Sequence, residues 1–236
     1  FTEETHGDAC TKQIQMTPTT VFAQTTKLIS SLIEAGLSDD QNFASLSNGP
    51  DNISELTIPG THDFSVSLKN ISYREIYEAL EAGRSYHIRM IDGGLIQILY
   101  RFRDQNLISH RLCYFPSPDF EAFQNDPEVY LTDPIYGDIL QKSIVPFPVR
   151  FDFNVDDKLH VEIDHPKSHL TLGQYTNCRI PVSAPLTPHS FLSFILDSFY
   201  KCGAASFAAL PRSPDIIFTR TLTEKELRTT HLSLMT

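Results

Sequence analysis

Residues 95–115 read LIQILYRFRDQNLISHRLCYF, and this stretch decides the predicted fold. Its two runs of aliphatic and aromatic residues, 95–102 and 107–114, are separated by a polar turn. Two such runs joined by a short polar turn are typical of a β-hairpin. Another β-rich run, 86–90, precedes them across an Asp-Gly-Gly sequence in which glycine permits a tight turn. The middle of the chain therefore predicts an antiparallel meander.

The rest of the chain adds strands and helices to this meander. Further β-rich runs predict strands at 149–154, 160–163, 168–172, 178–182 and 216–221. Apolar residues at helical spacing, preceded by capping residues, predict helices at 17–35, 72–83 and 187–199, with short ones from Pro118 and in the polar tail. The polar stretch 38–52 is predicted as a loop.

Together these elements predict one α+β domain over residues 1–236, with a central antiparallel sheet flanked by helices. Residues 1–83 are predicted as an acidic helical N-terminal region. Residues 84–200 form the sheet core and carry the candidate site, and residues 201–236 form a C-terminal extension.

Composition excludes several classes of protein. The 236 residues are 41% hydrophobic and 20% charged, which excludes a disordered chain. Serine interrupts the longest apolar runs, so we expect no membrane helix and no membrane partner. The four cysteines form no Cys-x-x-Cys pair, which is typical of reduced thiols in a cytoplasmic protein. No secretory leader is visible, although the chain begins at Phe1 rather than at methionine.

The net charge of −10 makes the chain a poor general binder of nucleic acid, because affinity for a phosphate backbone needs basic residues. Much of the acidic excess lies in residues 1–83, which contain 4 Lys and Arg against 12 Asp and Glu. Residues 84–179 contain 10 against 13, so a local basic cleft is compatible with the middle of the chain.

The densest group of reactive side chains is the turn 165–169, which reads His-Pro-Lys-Ser-His and is soon followed by Arg179. Just upstream, Arg150 and Asp152 alternate with two phenylalanines along a predicted strand. Because side chains alternate between the faces of a strand, this guanidinium and carboxylate share one face.

The strand 109–116 follows the same alternation. His110, Leu112 and Tyr114 share one face, and Arg111 and Cys113 share the other. If this strand neighbours the later ones, histidines and arginines converge on one surface of the sheet.

Three interpretations of the histidines stay open at this point. His165 and His169 with Cys178 or Asp164 are acceptable zinc ligands, although Pro166 argues against the helix that would align two histidines at this spacing. Alternatively, the histidines satisfy turn carbonyls and the arginines pair with carboxylates, in a purely structural role.

The third interpretation is metal-free phosphoryl chemistry on RNA, with no cofactor. One imidazole removes a proton from a 2′-hydroxyl and another group protonates the leaving oxygen, which suits the ordinary pKa of histidine. The candidate catalytic residues are His165, His169, Asp152 and His110. The candidate phosphate-binding residues are Arg150, Arg179, Arg111 and Lys167.

Several segments resemble an uncharacterised bacterial family of unknown function. They span most of the chain and comprise Gly60–Phe64, His110–Leu112, Pro116–Pro118, Phe123–Pro127, Phe151–Asp152, His165–Leu170 and Asn177–Val182. The resemblance implies no particular activity.

A more distant likeness is to TumE-like toxins, components of bacterial toxin–antitoxin systems. In those proteins an Arg-aromatic-Asp strand precedes a histidine-rich turn, as Arg150-Phe151-Asp152 precedes residues 165–169 here. This chain departs from the pattern by an insertion of about 35 residues after Tyr114 and by a long acidic N-terminal region.

The likeness implies a toxin-like or anti-phage defence effector that acts on RNA, and the residues favour a metal-independent ribonuclease. The alternative is a binding module without turnover, such as a nucleotide sensor or an antitoxin-like partner subunit in a defence operon. The expected partners are an RNA substrate and a cognate protein from the same operon.

Overall fold

In the part of the chain that the structure describes, an antiparallel sheet of nine strands forms the framework. The structure is a computed structural model that describes residues 16–60, 71–119, 146–175, 177–200 and 218–233. Its strands are β1 Ser38–Gln41, β2 Ser45–Asn48, β3 Ile53–Thr57, β4 Ile88–Met90, β5 Leu95–Arg103, β6 Asn106–Phe115, β7 Val149–Asn154, β8 Ser168–Leu172 and β9 Ile180–Pro181.

The strands follow the order β1-β4-β5-β6-β7-β8-β9, and the sheet stays open. Two strands pair with the same side of β5: β4 pairs with its first residues, and β3 pairs with its last residues, 100–103. Strand β2 pairs with β3. The predicted α+β fold with a central antiparallel sheet is confirmed.

Three α-helices accompany the sheet in the described residues: α1 Pro18–Glu34, α2 Tyr73–Ala82 and α3 Pro188–Phe199. Each has an N-cap that the sequence signalled. Thr17 and Thr187 accept the backbone N–H three residues on, and Ser72 forms a reciprocal capping box with Glu75. None of these helices is long and apolar enough to cross a bilayer.

The first face of the sheet packs on α1 and α3. Alternate residues of the central strands point into this core, and they meet apolar residues of both helices. Phe151 of β7, for example, packs edge-on against Phe191 and Phe194 of α3, with ring centroids 6.1 Å and 5.2 Å away. The main hydrophobic core therefore lies between this face of the sheet and the two helices.

The second face is divided between a covered half and an open half. Helix α2 covers the end where β5 begins and β6 ends, with Ile76 and Leu80 packed against Leu95, Cys113 and other buried residues. Beyond Leu95 and Cys113 the same face becomes polar, and no described helix covers it. The candidate site lies in that open half.

The hairpin between β5 and β6 closes through the two residues Asp104 and Gln105. Both have positive φ, 48° and 68°, as a type I′ turn requires, and such a turn matches the twist of the strands it joins. Asn52 donates to the Asp104 carboxylate at 2.8 Å, which ties this turn to the one before β3.

The loop predicted at 38–52 is wrong, because this segment contains β1 and β2. Both strands are polar since they lie at sheet margins, and β1 is held by charge rather than by burial. Arg89 of β4 pairs with Asp39, and Arg84 pairs with Asp40 at 2.7 Å. The sheet therefore recruits part of the region 1–83.

Other predicted elements differ in part. Residues 160–163 are no strand but a tight turn closed by a bridge between Val161 and His165, and 178–182 contributes just the two residues of β9. The described part of 216–221 is not a strand, and the polar tail holds a 3₁₀-helix, Glu226–Arg228. The helix predicted from Pro118 lies outside the described residues.

The far edge of the sheet is covered by the C-terminal segment. Strand β9 ends at Pro181, which has no amide hydrogen to offer. Leu232 pairs in parallel with Val182, and its backbone N–H donates to the Pro181 carbonyl at 2.8 Å. Thr221 donates to the Ser183 carbonyl at 3.0 Å.

A buried polar network anchors the turn before β5. The Tyr200 hydroxyl donates to Asp92 at 2.6 Å, and Tyr114 then donates to the Tyr200 oxygen at 2.9 Å. The backbone N–H of Gly94 donates to the same carboxylate at 2.9 Å. A Cβ atom at position 94 would lie 2.8 Å from the Tyr114 ring and 2.9 Å from the Tyr200 hydroxyl, so glycine is required there.

We predict that Gly94→Ala lowers the free energy of unfolding by about 1–3 kcal/mol, because the methyl group overpacks this network. Urea denaturation measures the change. Gly49→Ala is the matched control, since the nearest atom to its Cβ is the Ile53 carbonyl oxygen at 3.8 Å. Equal stability of the two variants would contradict the steric explanation.

Candidate functional site

An open cleft of about 820 Å³ occupies the uncovered half of the second sheet face. Residues of β2, β3 and β5–β8 form its floor, and the loop between β7 and β8 forms part of its rim. Its charged residues are Arg101, Arg111, Arg150, Lys167, Arg179, Glu55 and Asp152. Five cations thus face two carboxylates, in a chain whose net charge is −10.

One row of side chains crosses the floor of the cleft. Arg111 of β6 pairs in register with Asp152 of β7, and Asp152 pairs with His169 of β8. Because neighbouring strands lie about 4.8 Å apart, the register alone places these three side chains side by side. The predicted convergence of a histidine and arginines on one surface is confirmed for these residues.

Asp152 is the hub of this row. Its Oδ1 accepts a hydrogen bond from Nε of Arg111 at 3.0 Å, and its Oδ2 accepts one from Nε of Arg150 at 2.5 Å. Within the described residues, no partner binds the Nη nitrogens of either arginine. One carboxylate therefore aligns two guanidinium groups whose outer nitrogens stay available to a ligand.

The Asp152 carboxylate stays ionised despite its burial. Burial by itself raises the pKa of Asp152, but the positive charges of Arg150 and Arg111 outweigh burial and hold the pKa below its usual range. Two cations share this one anion, so the partly buried group retains an excess positive charge that an anionic ligand would neutralise.

His169 presents one ring nitrogen toward Asp152. Its Nδ1 lies 2.8 Å from the carbonyl oxygen of Pro166, which accepts only, so Nδ1 carries the proton. In the neutral ring, Nε2 is then the basic nitrogen, 4.0 Å from Oδ2 of Asp152. Burial lowers the pKa of His169, which favours this neutral form. The side chain is 6% exposed.

His165 lies beside His169 at the rim of the cleft. The two ring centroids are 5.1 Å apart, and the planes meet at 68°. Burial and, after it, the charge of Arg179 lower the pKa of His165. The predicted pair of histidines therefore forms one cluster of two neighbouring rings.

The remaining predicted phosphate-binding residues also line the cleft. Arg179 forms no ion pair with any described residue, and it faces the two histidines. Lys167 pairs with the exposed Asp157 at 2.5 Å. Arg179 is thus the cation with the least internal compensation at the rim.

His110 stands apart from the other predicted catalytic residues. Alternation along β6 places it on the first sheet face, where its ring packs against Tyr100 and Phe153. Its Nε2 accepts the backbone N–H of Leu186 at 3.1 Å, and burial lowers its pKa to about 4. These contacts describe a core histidine that also borders the cleft, and its predicted catalytic role stays a prediction.

The sequence did not predict two features of the cleft: the contribution of strand β3, and a contact that holds the rim loop in place. Glu55 on β3 faces the cleft and pairs with Arg101 at 2.8 Å, and the alternation in Ile53–Thr57 could have identified that strand. His160 contacts the buried Glu226 at 3.2 Å, which fastens the rim loop to the C-terminal segment. No local pattern signals so distant a pair.

The residues suggested as zinc ligands include two neighbours, His165 and His169, but no third ligand joins them in the described part of the chain. Among the described residues, no three His, Cys, Asp or Glu side chains lie close enough to hold a metal ion together. Cys178 is a free thiol, and so is Cys113, whose burial raises its pKa to about 12.

Comparison with known proteins identifies the family of the chain. No curated protein and no solved structure matches it. The likeness to TumE-like toxins and the bacterial origin therefore stay predictions. One family model matches residues 37–234. This range begins after α1 and includes all the described strands of the sheet and the whole cleft. The chain belongs to the family described as uncharacterized conserved protein (DUF2290).

Proposed function

We propose that the cleft binds RNA and cleaves it at a phosphodiester without a metal ion, with His165 and His169 as the acid–base pair. The observation that carries this proposal is the two imidazole rings, 5.1 Å apart, beside arginines whose outer nitrogens are unpaired within the described residues. Imidazole and guanidinium groups together supply proton transfer and charge stabilisation.

Phosphate binding rests on the charge of the cleft. Arg111 and Arg150, aligned by Asp152, match the planar, two-oxygen recognition that guanidinium groups give to phosphate. Arg179 adds a third cation across the histidines. The excess of negative charge elsewhere on the chain restricts nucleic acid to this cleft.

In the proposed reaction, the basic Nε2 of His169 takes the proton of a ribose 2′-hydroxyl. The 2′-oxygen then attacks phosphorus and forms a 2′,3′-cyclic phosphate. The bond to the 5′-oxygen breaks as that oxygen accepts a proton from the His165 imidazolium. Arg111 and Arg150 stabilise the negative charge that builds on the phosphoryl oxygens.

A second candidate is a binding module that holds a phosphorylated ligand without turnover. The low exposure of the His169 side chain, 6%, favours this alternative, since a buried ring makes little contact with a substrate hydroxyl. The toxin-like or defence role and the cognate protein partner stay predictions, and both are compatible with a ribonuclease and with a binding module.

We predict that the purified protein cleaves RNA in the presence of a chelator and leaves 2′,3′-cyclic phosphate ends. His165→Ala and His169→Ala should each slow cleavage by about 10²- to 10⁴-fold, the usual contribution of an acid or base. Gel electrophoresis of end-labelled RNA measures the rate.

His189→Ala is the matched control, because His189 lies on α3, on the other side of the sheet. Circular dichroism checks the folding of all three variants. A need for a divalent cation, or full activity without both cleft histidines, would contradict the mechanism. Binding without any cleavage would select the binding module.

We predict an acidic pH optimum for cleavage. The pKa values of both His165 and His169 lie below the ordinary 6.5. The active form needs a protonated His165 and a neutral His169 in the same molecule, and this form is most populated between the two pKa values, below pH 6.5. At higher pH, kcat/KM should fall about tenfold per pH unit as His165 loses its proton. Arg179→Gln should move this alkaline limb upward, since it removes a charge that lowers the pKa of His165.

We predict that Arg179→Gln also weakens binding of a 2′-O-methyl RNA oligonucleotide, which cannot be cleaved. The loss should be about tenfold at low salt and should shrink as salt rises, because it reflects one phosphate contact. Fluorescence anisotropy measures the affinity. Arg103→Gln, at the exposed end of β5, is the control that should change the affinity little. Equal losses would place the RNA outside the cleft.

A further inference from the structure

We propose that Tyr175 is a stacking platform for a nucleobase of single-stranded RNA, next to the phosphate site at Arg150. This inference rests on the proposed function and extends it, because it assigns a contact to the part of the substrate that leaves the cleft. It also defines the substrate class, since a base is free to stack in this way only in a single strand.

Tyr175 is unusually exposed for an aromatic residue. It is 75% accessible, more than any other exposed large hydrophobic residue of the described chain. Phe147, the next aromatic residue in its surroundings, is 40% exposed. An aromatic ring with an open face is what single-strand binding proteins present to bases, since every base has a face that stacks.

The ring is nevertheless held against the backbone. A Cβ atom at Gly173 would lie 3.3 Å and 3.4 Å from two ring carbons of Tyr175, so the ring covers the space that glycine leaves open. Gly173 has a φ of +66°, and its N–H donates to the Pro148 carbonyl at 2.7 Å. A ring fixed in this way loses little conformational freedom when a base stacks on it.

The register places this ring beside the phosphate site. Arg150 pairs with Thr171 across β7 and β8, so Gly173, the residue that follows the end of β8, is a diagonal neighbour of Arg150. Diagonal neighbours in an antiparallel pair lie about 7–8 Å apart.

Charge favours RNA as the occupant over a protein segment. Tyr175 packs on Gly173, a near neighbour of Arg150, and Arg150 is one of five cations that face two carboxylates in the cleft. A single strand that places its phosphate on Arg150 and Arg111 can lay a neighbouring base on Tyr175.

The chain contains no tryptophan, which makes a direct test simple. In Tyr175→Trp, the new indole reports on its own surroundings. Titration with a 2′-O-methyl oligoadenosine should quench its fluorescence to saturation. Tyr175→Ala and Tyr175→Leu should each weaken the binding of this oligonucleotide by about 5- to 100-fold, the usual effect of losing one stacked base. Tyr175→Phe, which keeps the ring, should bind within about twofold of the natural protein.

An oligonucleotide with abasic sites isolates the stacking contact. The natural protein should bind the abasic oligonucleotide more weakly than the intact oligonucleotide. The Tyr175→Ala variant, which has no ring to stack on, should bind the two oligonucleotides equally. If Tyr175→Ala and Tyr175→Leu bind as the natural protein does while Arg179→Gln binds less, the platform is refuted and the cleft proposal stands. If the natural protein binds no oligonucleotide at all, both are refuted.

Discussion

The carboxylate of Asp152 is the constraint on which the candidate site depends. It pairs with two arginines on adjacent strands, Arg111 and Arg150. Apolar side chains of the described residues do not cover this part of the sheet face, so the ion pairs organise it. The shared anion lets two guanidinium groups sit close to each other, which their mutual repulsion otherwise opposes. It also uses just one nitrogen of each, so the pairing organises the arginines without consuming them.

Stability and chemistry occupy different parts of the same sheet. The first face is sealed by α1 and α3, and α2 seals one half of the second face. The row that begins at Leu99 and runs through Arg111, Asp152 and His169 is the first row beyond that cover. Because apolar contacts elsewhere stabilise the fold, this row can keep an excess of positive charge that a core would not accept.

The sequence predicted elements with strong local signals and missed those that depend on distant partners. Strands β7 and β8 have their predicted ends, and β7 alternates clearly between buried and half-buried residues. Strands β1 and β2 escaped prediction, since their short polar sequences become strands only when β4 and β3 pair with them. At the site, period two brought Arg111, Arg150 and Asp152 to one face. The same rule placed His110 on the other face, where it packs in the core.

An open sheet exposes two edges, and each edge here discourages the addition of a strand from another molecule. At one edge, β1 borders the half of the sheet next to β4, and β2 borders the half next to β3. Both strands are just four residues long, and β1 carries Asp39 and Asp40, so a strand added there would have to pair beside two carboxylates. At the other, β9 ends in proline and the segment around Leu232 already occupies its backbone groups. The fold thereby resists edge-to-edge aggregation without closing into a barrel, and this leaves the second face open enough to hold a cleft.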